Sequence, residues 1–197
     1  MIRDTVHRYD DELWELVPQD AGPPPAHLVE FVRSLGEVER ALDLGCGDGR
    51  LTLRLAARRL VAADVSRVAL ERARQRLPAD TQFVELEPDV ALPLEDGQFD
   101  LVLCAETLEH VRDVQLLLSE ARRVLRPGGM LAVTTPKHSR LTALKLFVFG
   151  FERGFDPFSP HVRFFTKRSL TRALHELGFD LRSLKSESGT LLATARR

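Results

Sequence analysis

Short apolar runs alternate along the chain with stretches whose apolar residues recur every three or four positions. Ala41–Leu44, Leu60–Asp64, Gln82–Leu86, Phe99–Cys104 and Met130–Thr135 read as buried strands. Helical spacing predicts helices near Ala26–Leu35, from Leu51 to about Arg58, at Val68–Leu77 and at Val114–Leu125. In the last of these, Val114, Leu117, Leu118, Ala121 and Leu125 form one stripe, and Pro127-Gly128-Gly129 ends it. A final helix is expected between the N-cap candidate Thr166 and Gly178. Two strands close the chain, Phe179–Ser186 and Thr190–Ala195, with a turn at Glu187-Ser188-Gly189. The alternation argues for an α/β protein with a mostly parallel sheet, and the final hairpin places an antiparallel strand in it.

The length, 197 residues, suits a single domain with one sizeable core. Residues 1–36 read as an N-terminal cap and helix, with Tyr9 and Trp14 placed to close one side of a pocket. Residues 136–160 read as an insert after the fifth strand. A net charge of −1 gives no overall pull toward nucleic acid or anionic lipid. Eight arginines against two acids over residues 50–76 read as a solvated face, and nine acids crowd residues 85–113. Two cysteines, Cys46 and Cys104, suit a reducing compartment, and no leader or run of roughly 20 apolar residues is visible. A soluble, cytoplasmic protein without an integral membrane segment is expected.

The densest chemistry follows the first strand, in Asp43-Leu44-Gly45-Cys46-Gly47-Asp48-Gly49. Glycines at alternate positions remove Cβ atoms and tolerate positive φ, at roughly 0.5–1 kcal/mol each in chain entropy relative to Ala. A tight turn without a ligand needs only one of them. Asp64, 19 residues after Gly45, ends the second strand, where a carboxylate accepts both hydroxyls of a ribose. Its structural alternative is a helix N-cap. The spacing is G-x-G-x-G, whereas a dinucleotide pyrophosphate calls for G-x-G-x-x-G.

Further along stand Cys104-Ala105-Glu106-Thr107-Leu108-Glu109-His110, Arg123-Val124-Leu125-Arg126-Pro127-Gly128-Gly129 and His161-Val162-Arg163-Phe164-Phe165-Thr166. In this order and spacing the chain resembles the class I S-adenosylmethionine-dependent methyltransferases, small bacterial type-11-like domains and ubiquinone-pathway O-methyltransferases among them. The resemblance implies a Rossmann-like three-layer αβα sandwich with seven strands in the order 3-2-1-4-5-7-6. It implies S-adenosyl-L-methionine as donor, with Asp43 near the methionine amino group and Gly45 and Gly47 along the methionine moiety. Cys46, Gly49 and Val65 join that set, Ala105 offers backbone, and either Glu87 or Asp89 takes the adenine amino group.

On a helical turn Glu106, Glu109 and His110 would share one face, with His161 as a fourth ligand. Similar strings hold a divalent metal in RNA 3′-terminal 2′-O-methyltransferases, so Mg or another divalent cation is one reading. The other gives Glu106 a hydrogen-bonding role, and His110 or His161 the acceptor's proton. Five phenylalanines within twelve residues (Phe147, Phe149, Phe151, Phe155 and Phe158) mark the insert as a lid over an apolar or aromatic acceptor. A homodimer or membrane-surface patch and plain packing are its alternatives. A small-molecule methyltransferase with an O-methylation bias is therefore expected. RNA-terminal methylation, an NAD-dependent oxidoreductase and a non-catalytic cofactor-binding partner are the competing functions.

Overall fold

The computed structural model describes residues 2–19, 21–139, 142, 147–148 and 160–197, with side chains from Tyr9 onward. The order is α1 (Ile2–Leu16), α2 (Ala26–Arg33), β1 (Glu37–Leu44), β2 (Ala56–Asp64), α3 (Arg67–Arg76), β3 (Gln82–Glu85) and β4 (Phe99–Ala105). Then come α4 (Val114–Val124), β5 (Leu125–Pro136), α5 (Lys167–Glu176), β6 (Asp180–Glu187) and β7 (Thr190–Arg196). The strands form one seven-stranded sheet in the order β3-β2-β1-β4-β5-β7-β6, as expected. The first five run parallel, and β7 pairs antiparallel with both β5 and β6.

Side chains alternate across the sheet, so each strand supplies two cores. Leu42, Val102, Leu131 and Val133 face Leu118 and Val124 of α4 and Leu170 and Leu174 of α5. Ala41, Leu101, Leu103 and Ala132 face Val32 of α2, while Ala62 meets Leu70 and Ala73 of α3. A sheet apolar on both faces requires helices on both, which makes the three layers. Helix starts follow local chemistry. Ser66 caps α3 through Ala69 N–H (3.1 Å), Asp113 caps α4 through Leu116 N–H (2.8 Å), and Thr166 and Ser169 form a capping box at α5.

The helix expected from Leu51 to about Arg58 does not form. Only a 3₁₀ turn, Thr52–Arg54, precedes β2, which starts at Ala56. The reason is distance. β1 and β2 pair in parallel from Glu37↔Ala56 to Leu44↔Ala63, so the chain must return the full length of β1 within residues 45–55. That return is roughly 23–26 Å at about 3.3 Å per strand residue. An α-helix over all eleven residues would advance only about 16 Å, so most of the connection has to be extended. β5 also starts earlier than expected, at Leu125 directly after α4, and runs through Pro127-Gly128-Gly129. Among the described residues no helix is long and apolar enough to cross a membrane.

Candidate functional site

The carboxyl ends of β1 and β2 are tied together before any side chain is considered. Gly45 and Cys46 both donate their N–H to the Ala63 carbonyl, at 2.8 and 3.0 Å. Gly45 has φ +81, and a Cβ there would lie 2.4 Å from the Thr107 side chain. Gly47 has φ +53, and a Cβ would lie 2.7 Å from the Trp14 ring. Positive φ and close approach together make both positions glycine sites. Gly49 sits behind the loop against Leu77. Asp48, next to it, is clamped by Arg50 (2.8 Å) and Arg76 (3.0 Å), which anchors the loop to α3.

Two buried carboxylates lie under this loop. Asp64 accepts Gly47 N–H (2.8 Å) and Ser66 N–H (2.9 Å). Burial pushes its carboxyl up to about 6, against the pull of those N–H groups. The N-cap of α3 is Ser66, so the capping alternative for Asp64 falls to its neighbour. Asp43 accepts the Thr52 hydroxyl at 2.6 Å. Burial pushes Asp43 up to about 7; the Thr52 bond opposes that rise and the nearby Asp64 charge adds to it.

Above the loop opens a cavity of about 420 Å³. Six of the expected donor residues line it: Gly45, Gly47, Asp64, Val65, Glu87 and Asp89. Asp43, Cys46, Gly49 and Ala105 are not among its lining residues. Both cysteines are buried free thiols, pushed up by desolvation. Of the two adenine-acid candidates, Asp89 has its carboxylate 2.8 Å from Arg112, on backbone at φ +57. Leu86, Leu92, Leu116 and Leu117 make an apolar wall, while Asp10, Leu13, Trp14 and Val17 of the N-terminal segment close the opposite one. Of the two aromatics expected there, Trp14 lines the cavity and Tyr9 is exposed. Asp11 holds α1 in place, accepting Ser66 Oγ–H (2.6 Å) and Val68 N–H (3.2 Å). Asp10, Leu13 and Val17 were missed, although the spacing of 13, 14 and 17 is that of one helix face.

Glu106 and His110 line the same cavity, but Glu106-x-x-Glu109-His110 is not a helical turn. Glu106 sits at φ +51, its N–H donates to the Thr134 carbonyl (3.0 Å), and its carboxylate accepts the Thr134 hydroxyl (2.7 Å). Glu109 is buried and accepts the Thr135 hydroxyl at 3.0 Å; burial and then the Glu106 charge push it up to about 7. The His110 ring lies 4.8 Å from that of His161, and burial followed by that neighbour lowers its pKa. Ligand atoms of Glu109, His110 and His161 all lie within 4.8 Å of one another, with Glu106 outside the group. His27, 3.3 Å from the Thr190 hydroxyl, and His138, stacked edge-on to Phe164, stand near these groups. No sequence motif marked either one. Of the phenylalanine-rich insert, Phe147 and Val148 are exposed; Leu144, Leu146, Phe149, Phe151, Phe155 and Phe158 lie outside the described residues.

Residues 42–133 match the family described as "Methyltransferase domain". That span runs from β1 through β5 and contains the glycine loop, both buried carboxylates and the Glu106–His110 turn. Over these residues the chain is similar to S-adenosylmethionine-dependent methyltransferase domains. It is 33% identical over 144 residues to the ubiquinone biosynthesis O-methyltransferase of Mesorhizobium japonicum, covering 71% of this chain and 52% of that one. It is 36% identical over 102 residues to the 27-O-demethylrifamycin SV methyltransferase of Amycolatopsis mediterranei, covering 48% and 38%. An S-adenosylmethionine-dependent methyltransferase structure from Mesorhizobium loti shares the fold, with a TM-score of 0.66, 20% identity, and coverage of 91% and 100%. The chain spans about half the length, or less, of these curated relatives. In a parallel α/β sheet ligands enter the crevice at the carboxyl ends of the strands, and here the cavity of about 420 Å³ opens at that place.

Proposed function

We propose that this domain moves the methyl group of S-adenosylmethionine to a hydroxyl of a small, apolar or aromatic acceptor. One observation carries the reading: a single cavity is lined by Gly45, Gly47 and Asp64 at its donor end and by Glu106 and His110 at the other. Asp64 takes the ribose hydroxyls on the lone pairs that Gly47 and Ser66 leave open. Asp43 supports the donor's ammonium from beneath the loop, and Glu87 or Asp89 receives the adenine amino group. The acceptor oxygen attacks the methyl carbon in line. The carbon–sulfur bond breaks with its electron pair to sulfur, and the acceptor proton passes to His110. Placement in an apolar, water-poor cavity supplies much of the rate. The O-methyltransferase relative supports oxygen as the accepting atom. The relatives favour neither the RNA-terminal nor the NAD-dependent alternative, nor a non-catalytic role.

A divalent cation is the second reading, favoured by the close grouping of Glu109, His110 and His161. One carboxylate and two imidazoles suit such an ion, which would lower the pKa of an acceptor hydroxyl. Most of residues 136–160, expected as a lid over the acceptor, lie outside the described residues, and the whole chain acts as one domain.

Calorimetry with S-adenosylhomocysteine tests the core of the proposal. The chain is expected to bind it, to ignore NADH, and to release it as product from S-adenosylmethionine with small phenols. An absence of binding, or undiminished binding in Asp64→Ala, overturns the reading.

A further inference from the structure

The segment after the insert is fastened to the turn that carries His110 by bonds on both sides of the ring. Val162 N–H and Arg163 N–H both donate to the Glu109 carbonyl, at 2.8 and 3.0 Å. The Arg163 guanidinium donates to the Arg112 carbonyl, two residues beyond His110. From below, the Glu109 carboxylate is pinned by Thr135. Residues 109–112 are thus held at both ends, and the imidazole between them meets that segment at the Pro160 carbonyl as well as at the His161 ring. His110 Nδ1 lies 3.1 Å from the Pro160 carbonyl. A carbonyl oxygen carries no proton, so this contact requires the proton on Nδ1.

We infer that Arg163 is a positioning residue that locks His110 as its Nδ1–H tautomer, leaving the lone pair on Nε2 for the chemistry of the cavity. The inference rests on the methyltransferase reading only for what Nε2 then does. It also assigns work to the His161-Val162-Arg163 string, which donor binding leaves unexplained. Arg163 touches neither donor nor acceptor; it acts through the Arg112 carbonyl and the backbone of the turn. An exposed ion pair is usually worth little, but this guanidinium bonds a carbonyl, and its effect is on geometry. A free histidine exchanges between both neutral tautomers, and a carbonyl held at one nitrogen selects one of them.

The test is imidazole ¹⁵N spectroscopy on the full chain, where the protonated and lone-pair nitrogens of a neutral ring are well separated. Comparison with His110→Gln assigns the signal. The wild type is expected to show Nδ1 protonated and Nε2 bearing the lone pair. Arg163→Ala is expected to lose that signature to tautomer averaging, and Arg163→Lys, which keeps a donor, to restore most of it. A wild-type ring protonated on Nε2, or an unchanged signature in folded Arg163→Ala, overturns the inference. The wild-type spectrum decides the tautomer even if Arg163→Ala fails to fold. Calorimetry with S-adenosylhomocysteine on the same samples keeps the two readings apart. Loss of wild-type binding removes the methyltransferase proposal and leaves the tautomer result standing.

Discussion

Asp43 is a carboxylic acid that the fold has made costly to ionise, and Asp43→Asn measures that cost. Its carboxyl is buried under the glycine loop with the Thr52 hydroxyl as its hydrogen-bond partner, and it rises from the ordinary 3.8 to about 7. At about 1.4 kcal/mol per pH unit, that rise corresponds to about 4 kcal/mol. Between 3.8 and about 7 the native chain holds a proton that the unfolded chain has lost. Stability therefore falls as pH rises through that window. His110 and His138 pull the other way, because burial lowers them and the unfolded chain protonates first as pH drops. The total pH slope is thus a contest, and the difference between two proteins is the clean quantity. Asn needs no ionisation, and its amide oxygen still accepts from Thr52. Urea unfolding at pH 4 and pH 8 should show the two proteins within about 1 kcal/mol at the lower pH. At pH 8 Asp43→Asn should be the more stable by about 2–4 kcal/mol. It should bind S-adenosylhomocysteine more weakly, a trade of function for stability. A gap that stays constant from pH 4 to 8, or a wild type that gains on the variant as pH rises, refutes the reasoning.

The Asp64 carboxyl rises to about 6 and that of Asp43 to about 7, so wild-type affinity for S-adenosylhomocysteine should be full above about 7 and decline as pH falls through both. Calorimetry between pH 7.5 and 5 checks this, and a flat profile counts against a ribose role. Asp64→Asn should weaken binding at least about tenfold, equivalent to about 1.4 kcal/mol. Gly47→Ala adds a Cβ 2.7 Å from the Trp14 ring on backbone at φ +53, and should lower stability by roughly 1–3 kcal/mol. Trp14 is the only tryptophan, so its fluorescence should shift with the same substitution. An unchanged melting temperature and emission spectrum would contradict the packing.

Much of this was readable from residue order. Leu42 and Leu44 alternate with Ala41 and Asp43, which shows a strand buried on both faces, and three spaced glycines mark where it ends. Asp64 was legible because a strand end and a fixed offset from the loop are both local facts. The misread helix at 51–58 shows the limit. Leu51, Thr52, Leu53 and Arg54 have acceptable helical pattern, and only the register of β2 against β1 forces the connection to extend. The helical reading of Glu106-x-x-Glu109-His110 failed for a related reason. Its spacing suits a helix, but Thr134 and Thr135 on β5 bind the two carboxylates separately and set Glu106 apart.

The sequence by itself determined what is periodic or adjacent: the strand–helix alternation, the antiparallel finish, the glycine loop and the acid at the end of the second strand. Tertiary structure alone decided which distant groups share space. It brought Trp14 onto Gly47, Arg112 onto Asp89, and the Pro160 carbonyl onto His110, across 33, 23 and 50 positions of chain. The physical reason is that periodicity and capping are satisfied within a few residues. A buried carboxylate or imidazole is satisfied by whatever the packed sheet places beside it, and no local pattern records that partner.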